Sequence, residues 1–213
     1  MNFSELYQQF ISDILHASIA EYVAVIFGII SVWYSKKEHV LVYPTGLINT
    51  IIYIYLSFKS SLFGEASVNF YYTVMSIYGW WQWTRKDAQQ QLVLHISYSS
   101  KREWKQQLLF FGVGYAVIYL ILVYLKKYFA GDAIPWADAF ASAAAYTGMW
   151  LMTRKKIESW YWWIATNIAS IPLYFSKHYV MTSVYYLILL VMAIQGLIAW
   201  KHNCKSSTAV AKK

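Results

Sequence analysis

Apolar residues run through this chain in long stretches separated by short charged or turn-forming segments. Each stretch approaches the roughly 17–25 residues that a helix needs to cross a hydrocarbon core of about 30 Å. Seven stretches meet that standard, at about residues 18–35, 40–57, 62–83, 105–127, 134–152, 160–176 and 179–200. Ahead of them, Phe3, Leu6, Tyr7, Phe10, Ile11, Ile14 and Leu15 recur at helical spacing on a segment whose charges are Glu5 and Asp13. This predicts an amphipathic helix lying in the membrane interface. No basic residue precedes the first apolar stretch and no small-residue cleavage site follows it, so a secretory signal is not expected. The longest polar interruption, 84–104, holds Leu92, Leu94, Ile96 and Tyr98 in period-two alternation, which predicts a short extended segment. Ser100-Lys101-Arg102-Glu103 has the form of a capping box, so the fourth helix is expected to start near residue 101.

Seven spans force successive loops onto alternate sides of the membrane, and the basic residues sort accordingly. Lys36, Lys37, Arg85, Lys86, Lys101, Arg102, Lys105, Arg154, Lys155, Lys156, Lys201, Lys205, Lys212 and Lys213 fall on one side, and Lys59, Lys126, Lys127 and Lys177 on the other. The asymmetry places the C-terminus in the cytoplasm and the N-terminus outside, and six or eight spans would scramble it. Composition points the same way: 59% of residues are apolar and 13% charged, far from the balance of a soluble domain. The net charge of +8 lies in short clusters between apolar runs rather than on one polar face, so no nucleic-acid partner is expected.

The first three spans match the last three at an offset of 118, which brings Lys36-Lys37 onto Arg154-Lys155, Ser35 onto Thr153 and Asn49 onto Asn167; one residue of slip brings Gly79 onto Gly196. Three helices, one linker and three more helices leave both halves in the same orientation. Such parallel repeats occur in secondary transporters, with the substrate held between them near the midplane. The expected fold class is an all-α integral membrane protein of seven transmembrane helices. It divides into an N-terminal amphipathic segment (1–17), a first three-helix repeat (18–83), a cytoplasmic loop (84–104), a linker helix (105–127), a second three-helix repeat (134–200) and a cytoplasmic tail (201–213).

Trp160, Trp163 and Asn167 stand at i, i+3 and i+7 and project from one face of the sixth span. They read either as lining of a binding cavity or as an interfacial aromatic belt beside a helix-joining amide. Asn49 is the counterpart of Asn167 in the second span. In the third span Asn69, Tyr72, Ser76 and Gly79 follow one face that could line a cavity, and Tyr78 lies deeper than the Trp80, Trp81 and Trp83 group, of which Trp81 and Trp83 read as interfacial. Gln195, the one amide of the seventh stretch, is either a helix-to-helix hydrogen bond or a ligand contact. The acids Glu21, Glu65 and Asp138 sit near span ends, which favours uncoupled transport over symport. Asp138 reads as a helix cap or as an attractor of a cationic substrate. Pro44 reads as a first-turn residue or a hinge, and Pro172 as a hinge.

Catalytic machinery is missing from this inventory. The single Cys204 excludes an internal disulfide, a cysteine-based zinc site and a CxxC motif, and there is no HExxH, GxxxxGK[ST] or GxGxxG sequence. No cofactor, metal or catalytic residue is expected, and an integral-membrane enzyme is disfavoured. A non-transporting receptor or assembly subunit would leave the paired asparagines without a role.

Glu158-Ser159-Trp160-x-x-Trp163-x-x-x-Asn167 after Met152-Thr153-Arg154-Lys155, with Tyr43-x-x-Gly46-Leu47-Ile48-Asn49 and Ile77-Tyr78-Gly79-Trp80, resembles the PnuC family of bacterial vitamin transporters from about residue 20 to 202. The resemblance implies import of nicotinamide riboside for NAD synthesis, by facilitated diffusion and alternating access across the bacterial inner membrane. It also implies a SWEET-like architecture, a homotrimer, and trapping of the substrate by a cytoplasmic kinase. Trp160, Trp163, Asn167 and Asn49 would then bind substrate, with Asn69 and Tyr78 beside them. Ser76 stands where asparagine is expected in many relatives, and thiamine or another vitamin is the alternative substrate. A pyridinium or thiazolium ring suits an aromatic cage, whereas a phosphate would call for a buried Arg or Lys, so the mononucleotide is not expected to enter.

Overall fold

The computed structural model describes residues 3–59, 63–128 and 134–210, and its elements are all helices. They are α1 (Phe3–His16), α2 (Ile19–Lys36), α3 (Val42–Lys59), α4 (Phe63–Thr84), α5 (Lys101–Tyr128), α6 (Pro135–Met152), α7 (Ser159–Ser176) and α8 (Val180–Val210). Each expected span coincides with one helix within a few residues. The tail is the exception, because α8 runs through most of it: Lys201 to Lys205 contains neither proline nor glycine to stop a helix, and Cys204 packs against the core. Among the described residues three helices, Ile19–Lys36, Lys101–Lys127 and Val180–Lys205, are long and apolar enough to cross a membrane by length and composition.

Local chemistry sets the boundaries. Ser100 and Glu103 form the expected capping box at the start of α5, and Ser18 with Glu21 forms a second one at the start of α2. Glu21 is thereby a cap. Asp138 takes a hydrogen bond from the Ile134 N–H ahead of α6 and pairs with Lys177 at 2.7 Å. Pro44 stands in the first turn of α3, and Pro172 lies inside α7. The side chain of Glu65 is outside the described residues. The loop before α5 lays an extended segment along the turn after α6: the Ser97 N–H donates to the Lys155 carbonyl and the Ile157 N–H to the Ser97 carbonyl. Leu94 and Ile96 turn inward onto the core, whereas Leu92 and Tyr98 of the same alternation are exposed.

The helices fall into two like triplets. Within the first, α2 packs on α3 and α3 on α4; within the second, α6 packs on α7 and α7 on α8. Between them, the first helix of one meets the third of the other, α2 on α8 and α4 on α6, while α5 packs mainly on α6 and touches α7 through Gln107 and Phe111 against Trp162. The register relating them is 117 residues and not 118. Helix α3 at 42–59 maps onto α7 at 159–176 without remainder, and the start of α4 onto that of α8. Helices α2 and α6 end in the same motif, with a left-handed residue at Glu38 (φ 56°) and Lys155 (φ 51°). The His39 and Lys156 N–H groups then reach back to the Tyr34 and Leu151 carbonyls. The correction changes the partners: Asn49 corresponds to Thr166, and Asn167 to Thr50. Clusters of like residues suggested the wrong register because the basic runs are offset by one, with Glu38 standing where the second repeat has Lys155.

At the end of the bundle that carries most of the basic residues, aromatic rings from both triplets close on one another. Tyr43 packs edge-on to Trp83 and Trp160 edge-on to Trp200, at 5.2 and 5.5 Å between centroids, and Trp83 meets Trp200 at 6.1 Å. The Trp83 indole donates to the Met152 carbonyl and the Trp200 indole to the Ser35 carbonyl, equivalent bonds running in opposite senses between the halves. Lys155, buried beneath this group, pairs with Glu38 at 2.7 Å and lies 4.7 Å from the Trp83 ring centre.

Two expectations follow. A methyl group on Gly196 would overlap the Trp160 ring, and one on Gly79 the Tyr43 ring. Gly79→Ala and Gly196→Ala each lower the thermal midpoint of the detergent-solubilised protein, by about 1–3 kcal/mol of overpacking, whereas Gly112→Ala, with open space around it, does not. Glu38→Lys strands a buried charge and destabilises, and the exchange Glu38→Lys with Lys155→Glu recovers most of the loss in the same thermal assay.

Candidate functional site

Beyond the aromatic closure, between the triplets, tyrosines gather from four helices. Tyr71 and Tyr72 come from α4, Tyr146 from α6, and Tyr185 and Tyr186 from α8, with Trp163 of α7 beside them. Tyr71 and Tyr146 lie 4.4 Å apart, and Tyr72 lies 6.4 Å from Tyr146 and 6.1 Å from Trp163. Tyr185 and Tyr186 come near enough to Tyr72 for their phenols to interact electrostatically, and Tyr53 of α3 stands near Tyr185 in the same way. Tyr72 and Tyr185 are surrounded by protein, yet both keep solvent-accessible surface. Side chains in that situation line an internal space.

The walls are fixed by hydrogen bonds and by ring contacts, Tyr186 stacking on Tyr174 at 5.2 Å. The Tyr71 hydroxyl donates to the Tyr146 carbonyl at 3.0 Å, joining α4 to α6. Asn49 donates its amide N–H to the Ala24 carbonyl at 2.7 Å and lies against Gly28, whose missing side chain leaves room for the Tyr185 hydroxyl as well. Asn49 therefore spends part of its amide joining α3 to α2 at the edge of the space. Asn167 is 3% exposed and its amide makes no hydrogen bond among the described residues. The reason is the broken repeat: its counterpart Thr50 accepts the Thr73 hydroxyl at 2.9 Å, whereas Leu190 occupies the place of Thr73 in the second triplet and has nothing to donate. Its amide atoms are not sealed from solvent as the Tyr43 hydroxyl and Trp160 indole N–H are, so the amide is within reach of a solute in that space.

The structure distributes the sequence-derived candidates unevenly. Trp163, Asn167 and Asn49 are on the α7 and α3 segments that border the space, and Asn69 is on the same helix as Tyr72. Trp160 belongs to the aromatic closure, 1% exposed and locked between Trp200 and Gly196. Tyr78 is on the outer side of α4, where its hydroxyl accepts from Gln82 and its ring meets Trp81 at 5.9 Å. Gln195 is exposed and accepts a hydrogen bond from Lys36 at 3.0 Å, which is the helix-to-helix reading of that residue. The sequence reading passed over Tyr71, Tyr146, Tyr185 and Tyr186. The available signal was the adjacent tyrosine pairs in two apolar helices within a chain of 20 Tyr.

Charged residues stay away from this space. In α2, α3, α4, α6 and α7 every Asp, Glu, Lys and Arg lies within a turn of a helix end, and α8 carries none before Lys201. Among the described residues no group of His, Cys, Asp and Glu could hold a metal ion.

Comparison with known proteins gives consistent results. Residues 18–202 match the family described as nicotinamide mononucleotide transporter. The nicotinamide riboside transporter PnuC of Escherichia coli K12 is 24% identical over 208 residues, covering 87% of this chain and 86% of that protein. The riboflavin/roseoflavin transporter RibM of Streptomyces davaonensis is 22% identical over 186 residues, covering 87% of this chain and 85% of that protein. The crystal structure of the vitamin B3 transporter PnuC matches with a TM-score of 0.72 at 22% identity, over 94% of this chain and 88% of that one. With an all-helical bundle that gathers uncharged aromatic side chains between its triplets, these matches place the chain in a family of membrane transporters. The chain belongs to the PnuC family, the nicotinamide mononucleotide transporters.

The two tryptophans of α7, Trp160 and Trp163, separate cleanly by experiment. Trp163→Ala weakens ligand binding at least tenfold in calorimetric titration with little change in thermal midpoint. Trp160→Ala instead opens a cavity in the closure and destabilises by about 3–5 kcal/mol.

Proposed function

We propose that this protein carries nicotinamide riboside across the bacterial inner membrane by facilitated diffusion, delivering it for NAD synthesis. The observation that carries the reading is the uncharged space walled by Tyr71, Tyr72, Tyr146, Tyr185, Tyr186 and Trp163. A pyridinium cation over such rings gains roughly 0.5–2 kcal/mol per contact, more when desolvated, without a buried carboxylate. Asn167, with Asn49 and Asn69, supplies amides for a carboxamide and ribose hydroxyls. With no Lys or Arg in the middle of any bundle helix, a phosphate would enter uncompensated, so the riboside is carried and the mononucleotide refused.

In this reading all seven helices from α2 to α8 span the bilayer as two parallel three-helix repeats joined by α5. Helices α3, α4, α6 and α7 have 18, 22, 18 and 18 residues, about 27–33 Å at 1.5 Å per residue. Their lower hydropathy comes from residues such as Thr50, Asn69, Thr73, Thr147 and Asn167, which serve the interior. The basic end faces the cytoplasm and the N-terminus lies outside. Transport proceeds by alternating access, with the aromatic closure as the inner barrier. The Tyr43 hydroxyl and Trp160 indole N–H are buried there without partners among the described residues, a cost expected of groups that find partners when the barrier opens. The absence of acids from the middle of the bundle favours uncoupled flux, drawn inward by a cytoplasmic kinase, and the protein works as a homotrimer.

A second reading is another ring-bearing vitamin on the same scaffold, favoured by the riboflavin transporter among the relatives; thiamine shares the cationic ring. Time-dependent uptake into protein-only vesicles decides. Labelled nicotinamide riboside enters and equilibrates, nicotinamide mononucleotide does not, and thiamine and riboflavin fail to compete. Competition by thiamine or riboflavin alone moves the function to that vitamin, and entry of intact mononucleotide overturns the phosphate argument.

A further inference from the structure

We infer that the outer face between α5 and α6 binds an anionic phospholipid of the cytoplasmic leaflet, through a site separate from the transport path. Leu109, Phe110 and Val113 of α5 and Trp150 of α6 line an open groove of about 450 Å³, with Gln106 and Arg154 at its basic end. The groove wall is firm, because Phe110 and Trp150 pack ring to ring at 5.1 Å. It is also unoccupied by protein: Leu109 is 69% exposed and Val113 55%. Helix α5 rests on α6 and, through Gln107 and Phe111, on Trp162 of α7, and the groove face, with Leu109 and Val113, points away from those contacts.

Charge identifies the occupant. The Arg154 guanidinium lies over the Trp150 ring, 4.7 Å from its centre, at the mouth of the groove. Arg102 stands one turn before Gln106 on the same face of α5. Neither guanidinium has a carboxylate or hydrogen-bond partner among the described residues. The nearest acid in sequence, Glu103, is held by Lys156 at 2.8 Å. Two unpaired arginines at the level where a bilayer places its phosphates, above an apolar channel running toward the membrane centre, match a phosphodiester head group and one acyl chain. The site rests on α5 spanning the membrane and is independent of which vitamin is carried.

The test uses the full-length protein in phosphatidylcholine vesicles doped with brominated-chain phosphatidylglycerol or brominated-chain phosphatidylcholine. The signal is the tryptophan quenching that disappears on Trp150→Phe. The anionic lipid is expected to occupy the groove in preference to the zwitterionic one, by roughly fivefold for each arginine. Arg154→Gln and the surface variant Arg102→Gln each remove about fivefold of that preference, Arg154→Lys keeps it, and millimolar inorganic phosphate does not displace the lipid. Equal quenching by both lipids overturns the anionic site while leaving the membrane span intact. Displacement by free phosphate makes it a soluble-anion site, and Trp150 shielded from both lipids makes the groove a contact between copies; either result overturns the proposal.

Discussion

Close approach of aromatic rings to two glycines is the constraint on which the rest of the bundle depends. Tyr43 occupies the space left by Gly79, and Trp160 that left by Gly196, one contact in each half. Those contacts bring Trp83 and Trp200 together between the halves, and their indole N–H groups then bond the carbonyls at the ends of the opposite half's first helix. Glu38 and Lys155 sit at the ends of those same helices in a left-handed conformation that costs about 1–2 kcal/mol for a residue with a side chain. Glycine would avoid the cost but could not supply the ion pair. The chain accepts strain at two equivalent turns and gains a buried charge pair joining its halves.

This framework obeys the repeat, and the candidate site departs from it. At an offset of 117, Tyr43, Gly79 and Trp83 have counterparts of the same character in Trp160, Gly196 and Trp200. Around the internal space the counterparts differ: Tyr72 with Leu189, Tyr146 with Ile29, Trp163 with Gly46, Asn69 with Tyr186. Structural contacts between like halves can repeat because each half solves the same packing problem. A ligand with a ring at one end and a sugar at the other has no such symmetry, and a site that recognises it must present different groups from the two sides.

Much of the fold was legible in the sequence. Apolar length set the helices, Ser100 and Glu103 fixed the start of α5, and the basic clusters marked the loops. Period-two alternation at residues 92–98 also found the extended segment that lies on the core. The register of the repeat was not legible to one residue, since matching Asn49 to Asn167 is more attractive on residue type than matching each to a threonine. What decides it is backbone conformation at Glu38 and Lys155, which no local pattern reveals in a charged residue. Trp160 and Trp163 share a helix face, yet one enters the closure and the other the wall of the space. Their fates differ because Gly196 on a distant helix admits only the first.

The missing donor opposite Asn167 shows how an amide without a protein partner can arise from an imperfect repeat. In the first half Thr73 satisfies Thr50 and joins α4 to α3. In the second half Leu190 leaves a buried amide where the equivalent bond would be. Its amide atoms border accessible space and are not sealed as the Tyr43 hydroxyl and the Trp160 indole N–H are. A ligand that reaches this amide has no internal hydrogen bond to break before pairing with it. The same logic sets the limits of the site: an amide and ring faces can satisfy hydroxyls, a carboxamide and a delocalised cation, but nothing in that wall can neutralise a phosphate.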